Sequence, residues 1–413
     1  MNRSLSQQYK LTFGSPGRLL NLQPQHKMAR RNSGGGFPIR SIPMAQVRIS
    51  RRELRAVARV LKSGRLRAGP IVEDFEARFA HAVGAKFAVA VSSGTAALFL
   101  AYRTLLKPGD EIIAPDFTFV ATASMAVAAG LRPVFADVHP ETFALDPTQV
   151  ERRISRRTRA IAPVHLYGNP ANVSALMRLA RRHGLRVIWD AAQAHGAAFR
   201  GRDVGAFPDV VCYSFYPSKN MTTGEGGMLT TSNPALAAEF RLLRSHGEES
   251  RYHHIRLGFN FRLTDFAAAL GREQLRRLPG EVRARRRNAV RLARGLAGLP
   301  GLELPSVSPH ADHAFNLFTL RIDPRILRMS REDFQRALAR QGIESAVHYP
   351  VPLHRQPIFR GHGTDRDFPV STRLAETVLS LPVHPGLSRR DLDRIIRAVR
   401  RICGAAPRAP GSE

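Results

Sequence analysis

The sequence predicts an α/β protein: a large domain built on a mostly parallel mixed sheet flanked by helices, followed by a smaller C-terminal α+β domain. Two observations predict this. From residue 50 to about 230, apolar runs of strand length alternate with segments whose apolar residues recur at helical spacing. After about residue 280 the regular alternation stops.

The elements follow in order. Ser50-Arg51-Arg52-Glu53 has the form of a capping box, and Leu54, Val57, Val60 and Leu61 then fall on one helical face up to Gly64. Phe75, Phe79 and Val83 mark a second helix over 71–83. Phe87 to Val91 is short and apolar enough for a buried strand, and Ser92-Ser93-Gly94-Thr95 turns into a helix reaching about Leu106. Strands are expected at Glu111–Ala114, Pro133–Ala136, Thr158–Pro163, Arg186–Trp189, Val210–Ser214 and Gly227–Thr230, with helices over 118–129 and 172–183. Further on, an Arg-rich helix is expected over 281–298, with strands at Phe315–Ile322 and Ile343–His348. Ser330 and Ser388 cap two more helices, the second carrying Leu392, Ile395, Ile396 and Val399 inward. The expected organisation is a basic, disordered extension at 1–43, a large domain at 44–280, a small domain at 281–403 and a frayed tail at 404–413.

Composition narrows the function classes. The 413 residues are 43% hydrophobic and 23% charged, as in an ordinary globular protein, which excludes fibrous and largely disordered classes. No run reaches 18 apolar residues, so no membrane span is expected. Two cysteines, Cys212 and Cys403, cannot build a disulfide framework or a Cys-rich zinc site; they read as reduced thiols of a cytoplasmic protein. Residues 1–43 contain no acid and no signal-peptide core, and Met28 and Met44 offer later starts. The net charge is +30, yet only six of the 63 basic residues are lysines. The basic residues do not gather in an aromatic-interleaved patch, so a solvated, Arg-rich surface is expected rather than a nucleic-acid interface.

The chemistry lies at strand ends, where open α/β sheets collect ligands. Asp190 closes the apolar strand Val187-Ile188-Trp189. Lys219 follows a buried strand, within Ser214-Phe215-Tyr216-Pro217-Ser218-Lys219-Asn220 and ahead of Thr223-Gly224-Glu225-Gly226-Gly227. Ser93-Gly94-Thr95 opens a helix, whose unpaired N–H groups favour an anion. Pyridoxal 5'-phosphate uses all three: an amine for a Schiff base, a carboxylate for its pyridine nitrogen and a helix terminus for its phosphate. Taken singly, each has a plainer reading: a helix start, an N-cap and a surface lysine. Their order on successive strand ends is what carries the signal. His165, His195, His348 and His354 are not at metal-ligand spacing and read as core or loop histidines, so no metal is expected.

These segments resemble the DegT/DnrJ/EryC1/StrS family of sugar aminotransferases, over about Ile42 to Ile402. The resemblance is carried by Val91-Ser92-Ser93-Gly94-Thr95-Ala96-Ala97-Leu98, Phe117-Thr118-Phe119-Val120-Ala121-Thr122, Pro163-Val164-His165-Leu166-Tyr167-Gly168 and Asp190-Ala191-Ala192-Gln193-Ala194-His195-Gly196. The Lys219 segment, the glycine-rich turn after it and Gly258-Phe259-Asn260-Phe261-Arg262-Leu263-Thr264-Asp265 complete the set. It implies a fold-type I pyridoxal-phosphate enzyme. It implies Lys219 as the Schiff-base residue, Asp190 on the pyridine nitrogen, Gln193 near the ring hydroxyl and Phe119 stacked on the ring. Gly94, Thr95 and Ser214 would hold the phosphate, and Asn260 would reach the phosphate site of a neighbouring subunit, making the active unit a homodimer with shared sites. A dehydratase branch of the family has histidine in place of the Schiff-base lysine, so Lys219 implies the transaminase branch. The implied substrates are L-glutamate and a nucleotide-linked keto sugar. Ala346–His354 resembles a segment that lies near the sugar site in nucleotide-sugar members. The rivals are a keto-cyclitol or aminobenzoate-precursor acceptor and, in another class, a non-catalytic DNA-binding regulator.

Overall fold

The computed structural model describes residues 40–404. Most of the basic extension and the tail after 404 lie outside the described residues. Residues 40–43, expected in the extension, are folded: Ile42 is buried and pairs with Ile343.

The main sheet has seven strands: β1 (Phe87–Val91), β2 (Glu111–Pro115), β3 (Arg132–Ala136), β4 (Thr158–Ile161), β5 (Arg186–Asp190), β6 (Val210–Ser214) and β7 (Gly227–Thr231). Their order is β1-β7-β6-β5-β4-β2-β3. Only β7 runs antiparallel to its neighbours, in register Phe87↔Thr231 against β1 and Ser214↔Gly227 against β6. Both faces are covered, so alternate residues enter opposite cores. Val187, Trp189, Val211 and Tyr213 pack on one side, and Ile188, Val210 and Cys212 on the other. That is why these strands read as continuous apolar runs. The carboxyl ends of β1, β2, β4, β5 and β6 share one edge with the start of β7, and the candidate residues lie along that edge.

Helix α1 (Arg51–Ser63) has the expected capping box, but its buried face is Glu53, Ala56 and Val60; Leu54 and Leu61 face solvent. The reason is ionic. Glu53 accepts from Gln274 Nε2 at 2.7 Å and pairs with Arg277 at 2.8 Å, which turns the helix to bring this carboxylate inward. Helices α2 (Pro70–Val83) and α3 (Gly94–Leu105) match expectation closely.

The helix expected at 281–298 begins sixteen residues earlier, at Asp265, and runs unbroken to Leu296 as α4. Pro279 inside it removes one backbone hydrogen bond, a local cost of about 3 kcal/mol. Packing on both sides offsets that cost. Leu278 and Val282 join the core of the main sheet, whereas Ala289, Leu292 and Leu296 join a separate C-terminal core. The boundary drawn at 280/281 therefore falls inside one helix. The C-terminal core rests on a three-stranded antiparallel sheet, β8 (Leu302–Glu303), β9 (Phe318–Ile322) and β10 (Val378–Leu381), in the order β8-β9-β10. Helices α5 (Arg331–Arg340) and α6 (Arg389–Ile402) cover it, with Ser330 and Ser388 as their N-caps. The strand expected at Ile343–His348 is reduced to single bridges, Ile343 to Ile42 and Ala346 to Ser380. Arg394 on α6 donates to the carbonyls of Arg40 and Gln341.

The Glu53 contacts yield a stability prediction. Burial pushes the Glu53 carboxyl up, but hydrogen bonds from Ser50 and the Arg277 charge outweigh it and hold the group below its ordinary value. Its contribution is therefore present above the unfolded carboxylate range and fades as pH falls through the lower, folded value. Glu53→Ala is expected to cost about 3 kcal/mol at neutral pH in denaturant unfolding, with a smaller loss in acid. A loss independent of pH would contradict the ionic account.

Candidate active site

The sheet's carboxyl edge opens into a cavity of about 620 Å³ whose lining includes Gly94, Thr95, Phe119, Asp190, Gln193, Ser214 and Lys219. Seven of the eight site residues expected from the sequence thus meet in one place. The eighth, Asn260, is exposed, bridges to Ser245 and does not line the cavity of its own chain.

The phosphate-type end is built by close packing. Ser93 caps α3, its Oγ accepting from Ala96 N at 3.1 Å. The first-turn N–H groups of Gly94 and Thr95 have no acceptor within the helix. A Cβ at Gly94 would lie 2.7 Å from Ser214 Cβ, and one at Gly227 would lie 2.3 Å from the Ser93 carbonyl oxygen. Glycine at both positions brings the α3 terminus and the Ser214 hydroxyl together as one concave anion cradle.

At the other end, Asp190 is buried on β5. Its Oδ2 accepts from Thr122 Oγ1 at 2.9 Å and its Oδ1 from Ala192 N at 3.0 Å. Burial raises this carboxyl, opposed by those two hydrogen bonds and by the Lys219 charge. Burial also lowers the Lys219 ammonium, opposed by Asp190. The two groups therefore moderate each other across the cavity. Gln193 is fixed by Tyr167 N donating to Oε1 at 2.6 Å and by Nε2 donating to Tyr349 Oη at 3.1 Å. The Tyr349 ring lies 5.9 Å from that of Phe119, which is itself half exposed to the cavity.

Several residues here had no role in the sequence reading. Thr122, Tyr167 and Tyr349 lie in segments that carried the resemblance, but only the fold shows what they touch. Arg285 and Asn316 gave no local signal; both line the cavity from the C-terminal side. Of the histidines, His348 lines the cavity, its imidazole lowered to about 4 by burial and then by Lys219. His165 stacks on Trp189 at 5.3 Å, and His195 is buried between Tyr213 and Phe215. Among the described residues no group of three or more His, Cys, Asp or Glu is arranged to hold a metal ion, and no helix is long and apolar enough to cross a membrane.

An amine, a buried carboxylate, an anion cradle and an aromatic wall at the edge of a doubly covered sheet fit a pyridoxal-phosphate enzyme of fold-type I, and its relatives make it an aminotransferase. The chain belongs to the DegT/DnrJ/EryC1/StrS aminotransferase family, whose model matches residues 47–400. It is 42% identical to the dTDP-3-amino-3,4,6-trideoxy-alpha-D-glucose transaminase of Streptomyces venezuelae, over 87% of this chain and 95% of that protein. It is 40% identical to a UDP-N-acetyl-3-dehydro-alpha-D-glucosamine 3-aminotransferase of Acidithiobacillus ferrooxidans, over 87% and 98%. The crystal structure of S. venezuelae DesV superposes with a TM-score of 0.85 at 42% identity, covering 89% of this chain and all of that one.

The cradle yields a test. Gly94→Ala is expected to weaken pyridoxal-phosphate binding by about tenfold, since overpacking of this kind costs about 1–3 kcal/mol. Calorimetric titration of the cofactor-free protein checks it; an unchanged affinity would show that the close approach to Ser214 is unimportant.

Proposed function

We propose that this chain transfers an amino group from L-glutamate to a nucleotide-linked keto sugar, yielding an amino sugar, as a cytoplasmic homodimer with shared sites. The observation that carries the reading is the placement of the Lys219 amine and the Asp190 carboxylate in one cavity with the α3 terminus. The sugar-nucleotide substrates named for the relatives support the acceptor class. Asn260 is exposed and lies outside the lining of its own cavity, which leaves it accessible to a second copy and supports the dimer. The free thiols of Cys212 and Cys403 fit a reducing compartment.

In this reading Gly94, Thr95 and Ser214 would hold the cofactor phosphate, Phe119 would cover the ring and Gln193 would face its hydroxyl side. Bound there, pyridoxal phosphate supplies an electron-withdrawing ring that stabilises negative charge at the carbon losing a proton. The chain does the rest. Asp190 holds a proton at the pyridine nitrogen, with Thr122 and Ala192 fixing its orientation. Lys219 would anchor the cofactor, and its amine would accept and return the proton at the donor α-carbon. Burial favours this, because an amine below its ordinary value is more often neutral and able to accept. His348 and Tyr349 border the cavity from the C-terminal side, where an acceptor sugar would approach.

Two measurements test the proposal. Glutamate is expected to convert the yellow holoenzyme to its pyridoxamine form, and a panel of nucleotide-linked keto sugars to reverse the change with an amino-sugar product seen by mass spectrometry. No spectral change with any amino acid would overturn the donor chemistry. Lys219→Ala is expected to fold normally and show no turnover; retained turnover would remove Lys219 from its role.

A further inference from the structure

Lys219 stands on the loop between β6 and β7, whose later part, Met221 to Thr223, is buried and whose part just before the lysine is not. Tyr216, Pro217 and Ser218 are exposed. The loop is closed at its neck, where Phe215 N donates to Gly226 O at 2.8 Å and Thr223 N to Phe215 O at 3.1 Å. Inside the loop, Lys219 N donates to Tyr216 O at 2.9 Å. These bonds shape the loop but leave the Ser218 carbonyl and the Asn220 side chain to other partners.

The fixing contact comes from a distant segment. Asn316 is buried, and its Nδ2 donates at 3.1 Å both to Ser218 O and to Asn220 Oδ1, the residues on either side of Lys219. Asn220 in turn donates from Nδ2 to His195 O at 3.3 Å and to Ala314 O at 3.2 Å. Asn316 is held from behind. Arg285 on α4 donates from Nη1 to Asn316 O at 3.1 Å and to Phe315 O at 3.3 Å. The segment is also tied by Ala314 N to Gly168 O at 2.8 Å and by Leu317 N to Tyr167 O at 3.3 Å. One amide thus spends both of its N–H donors on the residues flanking the lysine, and its own backbone is anchored to the long helix and to the Tyr167–Gly168 turn.

We propose that Asn316 is a positioning residue for Lys219: its carboxamide, anchored through Arg285, fixes the loop on both sides of the lysine and so sets where the amine reaches. This rests on the reading that Lys219 bears the cofactor. No other side-chain donor to the Ser218 carbonyl is present among the described residues, so truncating Asn316 releases that limb toward solvent. The amine then leaves an environment shared with Asp190, His195, His348 and Arg285, and loses the burial that lowers it. Mispositioning of a reacting group by about an ångström costs on the order of 100-fold in rate.

The test compares wild type with Asn316→Ala and Asn316→Ser. Asn169→Ala is the structural control, because Asn169 also bonds across segments, to Ser306 O and Ser308 N at 3.1 Å, away from the cavity. In cofactor-free protein, the pH dependence of Lys219 acylation by acetic anhydride, read by peptide mass spectrometry, reports the amine itself. Both Asn316 variants are expected to shift that profile toward ordinary lysine. Their capture of pyridoxal phosphate and their kcat are expected to fall by about 10- to 100-fold, with KM for the acceptor unchanged. Asn169→Ala is expected to lower thermal stability without moving the acylation profile. Variants at 316 that fold, acylate and capture cofactor as wild type does would overturn the proposal, and so would an Asn169→Ala profile that shifts equally. If wild-type Lys219 never captures the cofactor, the assignment of the lysine fails, while the acylation comparison still decides whether Asn316 fixes the amine.

Discussion

The site depends on one steric constraint: three backbone segments must approach within contact distance at the carboxyl edge of the sheet. β7 runs antiparallel between β1 and β6, so its first residue, Gly227, lies directly against the Ser93 carbonyl that precedes α3. Gly94, one residue on, lies against Ser214 at the end of β6. Side chains at either glycine would separate α3 from β6 and open the anion cradle. The same arrangement fixes both ends of the loop that carries Lys219, since that loop leaves β6 at Ser214 and rejoins the sheet at Gly227. The anion cradle and the lysine loop are therefore set by one piece of packing.

Electrostatics then determines what the packed edge can do. A carboxylate and an amine are both withdrawn from water, and burial acts against the charge of each. The rise at Asp190 is opposed by a backbone N–H, a hydroxyl and the amine across the cavity. The result is a site whose two titrating groups are both displaced toward their neutral forms, and a neutral amine is one that can accept a proton. Tyr349 extends this order outward, because it joins the Gln193 amide to the aromatic wall at Phe119.

Much of this was legible in the sequence where local pattern and tertiary demand agree. The strands at 87–91 and 210–214 were read to the residue, because burial on both faces leaves an uninterrupted apolar run. Motif order put Gly94, Asp190 and Lys219 near strand ends, and the fold brings them to one cavity. What could not be read arises from contacts distant in sequence. Leu54 and Leu61 matched a helical stripe, yet the buried face of α1 is chosen by Glu53 and its partners more than 200 residues away. The start of α4 was placed late because packing onto two cores carries the helix through Pro279 and Gly280. Thr122 and Asn316 are ordinary polar residues in sequence and acquire meaning only from the groups the fold brings to them.

The excess of arginine over lysine has a physical reading in the same terms. A guanidinium offers five donors in a rigid fork and accepts nothing, so it can satisfy several carbonyl oxygens where the chain changes direction. The structure uses it that way. Arg286 donates to the carbonyls of Gly196, Asp312 and His313, Arg285 to those of Phe315 and Asn316, and Arg331 to that of Ala375. Such arginines act as internal fasteners, and part of the +30 charge is therefore structural rather than an advertisement to a polyanion. A fastener must keep its protons at every accessible pH, whereas the role proposed for residue 219 requires it to lose one. Lys219 stands where burial makes that loss easier, held in place by a framework in which Arg285 bears on Asn316 and Asn316 on the lysine loop. The two cations divide the work by their acidity, one fixing the backbone and the other left free to exchange a proton.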